Sequence, residues 1–173
     1  MAIDEGVEDA GVYCLVLRLT RSRRVEVGAL GTYVFSSGWY VYTGSAKRNL
    51  NSRLTRHLLR GKRLHWHVDY LRAVASLERV WVWPWSPGME CRTNARIQAL
   101  PGATIPCKGF GSSDCHCGSH LAMFPTEPQL ACDGVGRQHV SLLKHLMARN
   151  LTCRGKGRIL LTSARVRREK EQP

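Results

Sequence analysis

Residues 11–19 read Gly-Val-Tyr-Cys-Leu-Val-Leu-Arg-Leu, and residues 38–46 read Gly-Trp-Tyr-Val-Tyr-Thr-Gly-Ser-Ala. The first run is β-prone and mostly apolar, as a largely buried strand should be. In the second, Tyr40 and Tyr42 lie two apart and so share one strand face. A pair at that spacing ordinarily serves the core or cross-strand packing. Between the runs, Arg21–Arg24 reads as a polar turn. Val25–Leu30 and Thr32–Phe35 read as two short strands, with a break at Ser36-Ser37-Gly38.

Beyond residue 46 the period changes. Leu50, Leu54 and Leu58 recur every four residues, which makes one apolar stripe along a helix. Asn49 or Asn51 could cap its start, and Gly61 stops it. His65–Ala75 reads as a short helix. Leu77–Trp85 reads as a strand with Val80 and Val82 on one face and Trp81 and Trp83 on the other. Met89–Leu100 is a third helix, residues 102–118 are irregular, and His120–Phe124 is a last short strand. This order predicts an α+β fold, a small and mainly antiparallel sheet flanked by helices.

The chain has 173 residues, 43% of them hydrophobic and 23% charged, enough for a real core. No run approaches the ~18 apolar residues of a membrane span. The N-terminus is acidic where a targeting peptide is basic, so a soluble cytoplasmic protein is expected, with no membrane partner. Lys and Arg number 26 against 13 Asp and Glu, for a net charge of +13. Such a surplus points to a polyanion, foremost nucleic acid. Seven basic residues and no acidic one lie between Lys47 and Arg63. Lys47, Arg48, Arg56, Arg60, Lys62 and Arg63 are the candidate phosphate contacts. More than half of the net charge lies beyond residue 131. The expected organisation is a loose lead-in (1–10), one domain (11–125) and a basic extension (126–173). The extension reads as disordered or partly helical over Arg137–Arg149.

Two tyrosine-glycine motifs frame the first half, Gly11-Val12-Tyr13 and Tyr42-Thr43-Gly44. The basic helix then offers Arg53 and His57 four residues apart, on one face, and a later helix begins with Glu90. Joined by Trp66-His67-Val68-Asp69-Tyr70-Leu71 and Gly109-Phe110-Gly111-Ser112-Ser113-Asp114-Cys115, this order resembles the GIY-YIG nuclease superfamily over about residues 11–125. The closest likeness is to a branch found alone or fused to endonuclease III-type glycosylases. The 29 positions from Tyr13 to Tyr42 exceed the superfamily's usual gap, and a hairpin inserted at Val25–Phe35 would account for them.

The resemblance implies a metal-dependent endonuclease acting in DNA processing or repair, with DNA preferred over RNA. It implies that Tyr13 acts near the nucleophile and that Glu90 binds Mg²⁺ or Mn²⁺. Tyr42, Arg53 and His57 would surround the phosphate. Glu78 is the local rival of Glu90, and Asn94 is a candidate for an asparagine that some members carry. The chemistry of the residues agrees. A tyrosine whose pKa is lowered by nearby cations can activate water. An arginine fork can clamp phosphate oxygens, and one carboxylate can hold Mg²⁺ while waters and phosphate complete its shell.

Cys115, Cys117 and His120 could supply three ligands to Zn²⁺, with Cys107 or Cys91 as the fourth. The alternative is a turn whose thiols simply pack inward. His65 and His67, two apart on a helix, point to different faces. Trp83 and Trp85 could stack on bases or pack on the sheet. A non-catalytic basic binding module of the same fold, zinc-stabilised or not, is the rival to the nuclease.

Overall fold

Strand β1 (Gly11–Leu19) runs through the middle of an antiparallel sheet and is buried along nearly all its length. A computed structural model of the chain describes residues 9–130 and the backbone of Arg137–Gln138. On one side β1 pairs with β4 (Gly38–Ala46), and on the other with β5 (Ser76–Pro84). β6 (Leu121–Phe124) lies outside β4, giving the order β6-β4-β1-β5. β2 (Arg23–Glu26) and β3 (Thr32–Phe35) form a separate hairpin between β1 and β4. A single 3₁₀ turn at Gly28–Leu30 joins them, so the second strand is shorter than its sequence suggests and includes two residues of the expected polar turn.

Alternation along the strands sorts the side chains into two cores. Tyr13, Leu15, Leu17, Tyr40, Tyr42, Val80 and Leu121 face α1 (Leu50–Leu58), α2 (His67–Val74) and the hairpin. Cys14, Val16, Val41, Ala122 and Phe124 face Ile97 of α3 (Met89–Gln98), with Trp39, Trp81 and Trp83 packed around them. A helix on each face explains why β1 is apolar at both parities rather than alternating. The α+β class therefore holds: a four-stranded antiparallel sheet, a hairpin and three helices.

Three local readings change. Asn49 precedes α1 in a left-handed conformation (φ 57°), and neither it nor Asn51 caps through its side chain. Asp9 does the capping instead: its carbonyl accepts from Leu50 N–H at 3.0 Å and its carboxylate from Asn51 N–H at 2.8 Å. An anion there also meets the positive end of the helix. The lead-in is thus anchored at Asp9. At the other end, Arg137–Gln138 forms a two-residue strand, β7, against β5, where the start of a helix was expected. The remainder of that expected helix and the basic run after it lie outside the described residues.

Both motif glycines are explained by close approach. Gly44 pairs with Tyr13 across the β1–β4 ladder, and a Cβ at Gly44 would lie 2.7 Å from the Tyr13 ring and hydroxyl. One at Gly11 would lie 2.8 Å from the Trp83 carbonyl oxygen. Gly44→Ala should therefore displace Tyr13 and cost about 1–3 kcal/mol, as overpacked cores do. Urea denaturation measures it, and a loss below about 0.5 kcal/mol would show that the Tyr13 ring has room to move.

Candidate functional site

Tyr13 is 1% exposed and His57 is 1% exposed, and a hydroxyl buried that deeply needs a partner. Tyr13 Oη and His57 Nε2 lie 2.9 Å apart. Tyr42 leans on both, with ring centroids 6.4 Å from Tyr13 and 6.5 Å from His57. Burial pushes the Tyr13 hydroxyl well above its ordinary pKa, and the Arg53 guanidinium counters this only in part. Tyr42 is raised for the same first reason, reinforced by Tyr13 and Glu90. Desolvation thus outweighs the nearby cations, and neither tyrosine has the lowered pKa by which it could readily give up its proton to water.

His57 moves the other way. Burial, with help from Lys62, lowers it from 6.5 to about 3 despite the opposing charge of Asp69. It is neutral at physiological pH and can accept from the tyrosine. Its Nδ1 is buried without a hydrogen-bond partner and faces Asp69 Oδ1 at 3.9 Å. An acceptor on that side favours a proton on Nδ1, leaving Nε2 to receive the Tyr13 hydroxyl.

Asp69 was not among the candidate site residues, yet it organises one flank. Lys62 Nζ lies 2.6 Å from its Oδ1 and Arg56 Nη2 3.3 Å from its Oδ2. The backbone N–H groups of His65 and Trp66 also donate to it, at 3.0 and 3.1 Å. Burial alone would raise its pKa, but Lys62 and those amides hold it below the usual carboxylate value. Two of the six cations proposed for phosphate contact are thus engaged by an internal anion. Lys62 is nearly enclosed, its side chain 9% exposed. Lys47, Arg48, Arg60 and Arg63 are exposed.

The second half of the site meets at Ser45. Arg53 Nη1 donates to the Ser45 carbonyl at 2.8 Å, and Ser45 Oγ donates to Glu90 Oε2 at 2.5 Å. Arg53 and Arg56 stack on Trp66, each 5.0 Å from its ring centre. The other Glu90 oxygen lies 3.1 Å from His120 Nδ1. Burial would raise Glu90, but His120, Ser45 and the charge of Arg53 outweigh it and hold the carboxyl ionised. Glu90 looks onto a cleft of about 430 Å³ whose walls include Ser45, Lys47, Trp85, Cys115 and His120. Lys47 sits 5.8 Å from the Trp85 ring centre, at the rim.

Glu78 is exposed on β5 and accepts from the Ser76 hydroxyl. Asn94 is buried and donates to the Ser119 carbonyl at 2.8 Å, tying α3 to the loop before β6. Trp83 packs on the α3 side of the sheet. His67 Nδ1 accepts from Gly111 N–H at 3.0 Å while His65 is exposed, so the two rings do not share a site.

The four candidate catalytic residues and the candidate metal ligand Glu90 therefore form two groups at one end of the sheet, Tyr13–His57–Tyr42 and Arg53–Ser45–Glu90. Beside Glu90, Cys91, Cys115, Cys117 and His120 place ligand atoms within 4.8 Å of one another. That is a Cys₃His set able to bind a metal such as zinc. Cys107 does not join it. The glycine-rich loop turns Cys107 into the core beside Tyr33, and the fourth position falls to Cys91 on α3.

A family model described as "Domain of unknown function DUF123" matches residues 12–140. The chain belongs to this family. Comparison with curated proteins and with solved structures gives no match. The DUF123 match covers the sheet except Gly11, both groups of the candidate site, the Cys₃His set and β7. Among the described residues no helix is long and apolar enough to cross a membrane.

The neutral, buried His57 makes a pH-dependent contribution. Between pH 6.5 and about 3 the unfolded chain binds a proton at this histidine that the folded chain refuses. Stability should therefore fall as pH falls through that window, by up to several kcal/mol at about 1.36 kcal/mol per unit. Asp69 and Glu90, whose ordinary values are 3.8 and 4.5, add loss only below those values. His120, shifted upward, acts above 6.5. His67, lowered by burial, adds a slope of the same sign as His57. Urea midpoints from pH 6.5 to 4.5 should decline, and His57→Gln should flatten much of that decline. An unchanged slope in the variant would refute the assignment.

Proposed function

We propose that the chain is a divalent-metal-dependent endonuclease of GIY-YIG type that hydrolyses phosphodiester bonds, preferring DNA to RNA, in DNA processing or repair. The observation that carries this reading is the gathering of Tyr13, Tyr42, Arg53, His57 and Glu90 from β1, β4, α1 and α3 at one end of the sheet, with Glu90 lining a cleft. Their order along the chain already resembles that superfamily.

Each residue has a task its environment suits. The Tyr13 proton is committed to His57, which leaves the phenolic oxygen as an acceptor that can orient an attacking water. Arg53, fixed by the Ser45 carbonyl and by stacking on Trp66, can turn its remaining donors to a non-bridging phosphate oxygen. Tyr42 packs against the Tyr13 ring and holds it in place. Glu90 would hold Mg²⁺ or Mn²⁺ on lone pairs not used by Ser45 and His120, and waters and the phosphate would fill the other positions. Such an ion supplies charge neutralisation and stabilises the leaving oxygen. Lys47, Arg48, Arg60 and Arg63 remain for sequence-independent contact with the backbone of the nucleic acid.

A second reading has its own support. Tyr13, Tyr42 and His57 are all at most 8% exposed, as expected of a binding module in which these residues serve only the core. Cleavage of labelled single-stranded, duplex, nicked and branched DNA with Mg²⁺ or Mn²⁺ separates the two. Wild type should cut, and Glu90→Ala should lose at least ~100-fold in rate while its affinity by anisotropy stays within a few-fold. Tight, salt-sensitive binding without cleavage, with RNA included in the panel, would favour the binding module.

A further inference from the structure

The two ring nitrogens of His120 face different groups. Nε2 lies 3.4 Å from Cys115 Sγ, and Nδ1 lies 3.1 Å from Glu90 Oε1. Cys115 and Cys117 come from the loop before β6, while Cys91 follows Glu90 directly on the first turn of α3. In a tetrahedral zinc centre, bonds of about 2.3 Å to sulfur and 2.0–2.1 Å to nitrogen place ligand atoms roughly 3.5–3.8 Å apart. The Cys115–His120 edge is close to that value already. Since no ligand atoms are more than 4.8 Å apart, the widest edge needs to close by only about 1 Å.

We propose that Cys91, Cys115, Cys117 and His120 bind one zinc ion, and that His120 transmits the position of that ion to Glu90. Binding at Nε2 removes any proton there and leaves Nδ1–H to donate to the Glu90 carboxylate. Zinc uptake replaces the thiol protons, which go to solvent. Four protein ligands close the shell, so the ion is structural and does not itself meet substrate. His120 is a positioning residue in this arrangement, and its carbonyl, which accepts from Thr43 N–H at 3.0 Å, ties the same unit to β4. The zinc site stands without the nuclease reading. Only the consequence for catalysis rests on it.

The test uses the full chain and needs no cleavage assay. Protein purified under reducing conditions should carry one zinc per chain by elemental analysis. Cobalt substitution should give thiolate charge-transfer bands and the visible bands of tetrahedral coordination. Cys117→Ser should lose the bound metal, while Cys107→Ala should keep it. Because Cys117→Ser could also fail to fold, cadmium-113 substitution of the wild type supplies a second arm. ¹⁵N NMR should show cadmium coupling to His120 Nε2 but not to Nδ1, and Glu90→Gln should shift the Nδ1–H resonance. Absence of stoichiometric metal, an octahedral cobalt spectrum or zinc kept by folded Cys117→Ser would overturn the site. Coupling at Nδ1, or an Nδ1–H resonance indifferent to Glu90, would overturn the link to Glu90. Failure of cleavage with all these signatures intact would count against the nuclease reading alone.

Discussion

A tyrosine hydroxyl in the middle of a packed sheet face must find a partner or cost the fold its full desolvation. In this chain the partner is His57, and most of the polar interior follows from that one bond. A histidine enclosed beside a tyrosine ring is held neutral, and its far nitrogen then faces inward. Asp69 occupies that side. An aspartate enclosed there needs its own compensation, which Lys62, Arg56 and two backbone amides provide. Each buried group is tolerable only because the next is present, so truncating one would strand its neighbour. Gly44 is the steric counterpart of the same constraint, since the ring lies where any side chain at that position would be.

The sheet divides the chemistry as well as the packing. Tyr13, Tyr42 and His57 belong to the face covered by α1 and α2, whereas Glu90 and Cys91 come with α3 from the other. They can meet only where the strands end. Ser45 is the joint, because its carbonyl serves Arg53 and its hydroxyl serves Glu90. Penultimate in β4, it has its backbone available to one face's helix and its side chain to the other's. A site built on strand and helix ends in this way has its central side chains held by rigid elements.

Much of this could be read in the sequence, and the parts that could not share a cause. Strands and helices followed from hydrophobic period, and the two faces of β5 from the alternation of Val80 and Val82 with Trp81 and Trp83. The five candidate site residues were singled out through motif order, since neither Arg53 nor Glu90 differs locally from a solvated helix residue. What escaped depends on approach in space. Asp9 caps a helix that begins 41 positions later. Asp69 neutralises a helix that looked free of acid because its anion lies on the next element. Cys91 outranks Cys107 for the fourth ligand although Cys107 is nearer to Cys115 along the chain. Spacing within a segment carries no information about which distant segment folds against it.

The same long-range pairing changes what the net charge means. A surplus of +13 invites the view of a uniformly cationic surface. Within the basic stretch, however, Arg56 and Lys62 are consumed by Asp69, and Arg53 is fixed to Ser45 and Trp66. The exposed remainder is four cations, two before α1 and two after it. The stretch therefore presents less charge at the surface than its composition suggests, because most of its cations between residues 53 and 62 are engaged by Asp69, Ser45 and Trp66.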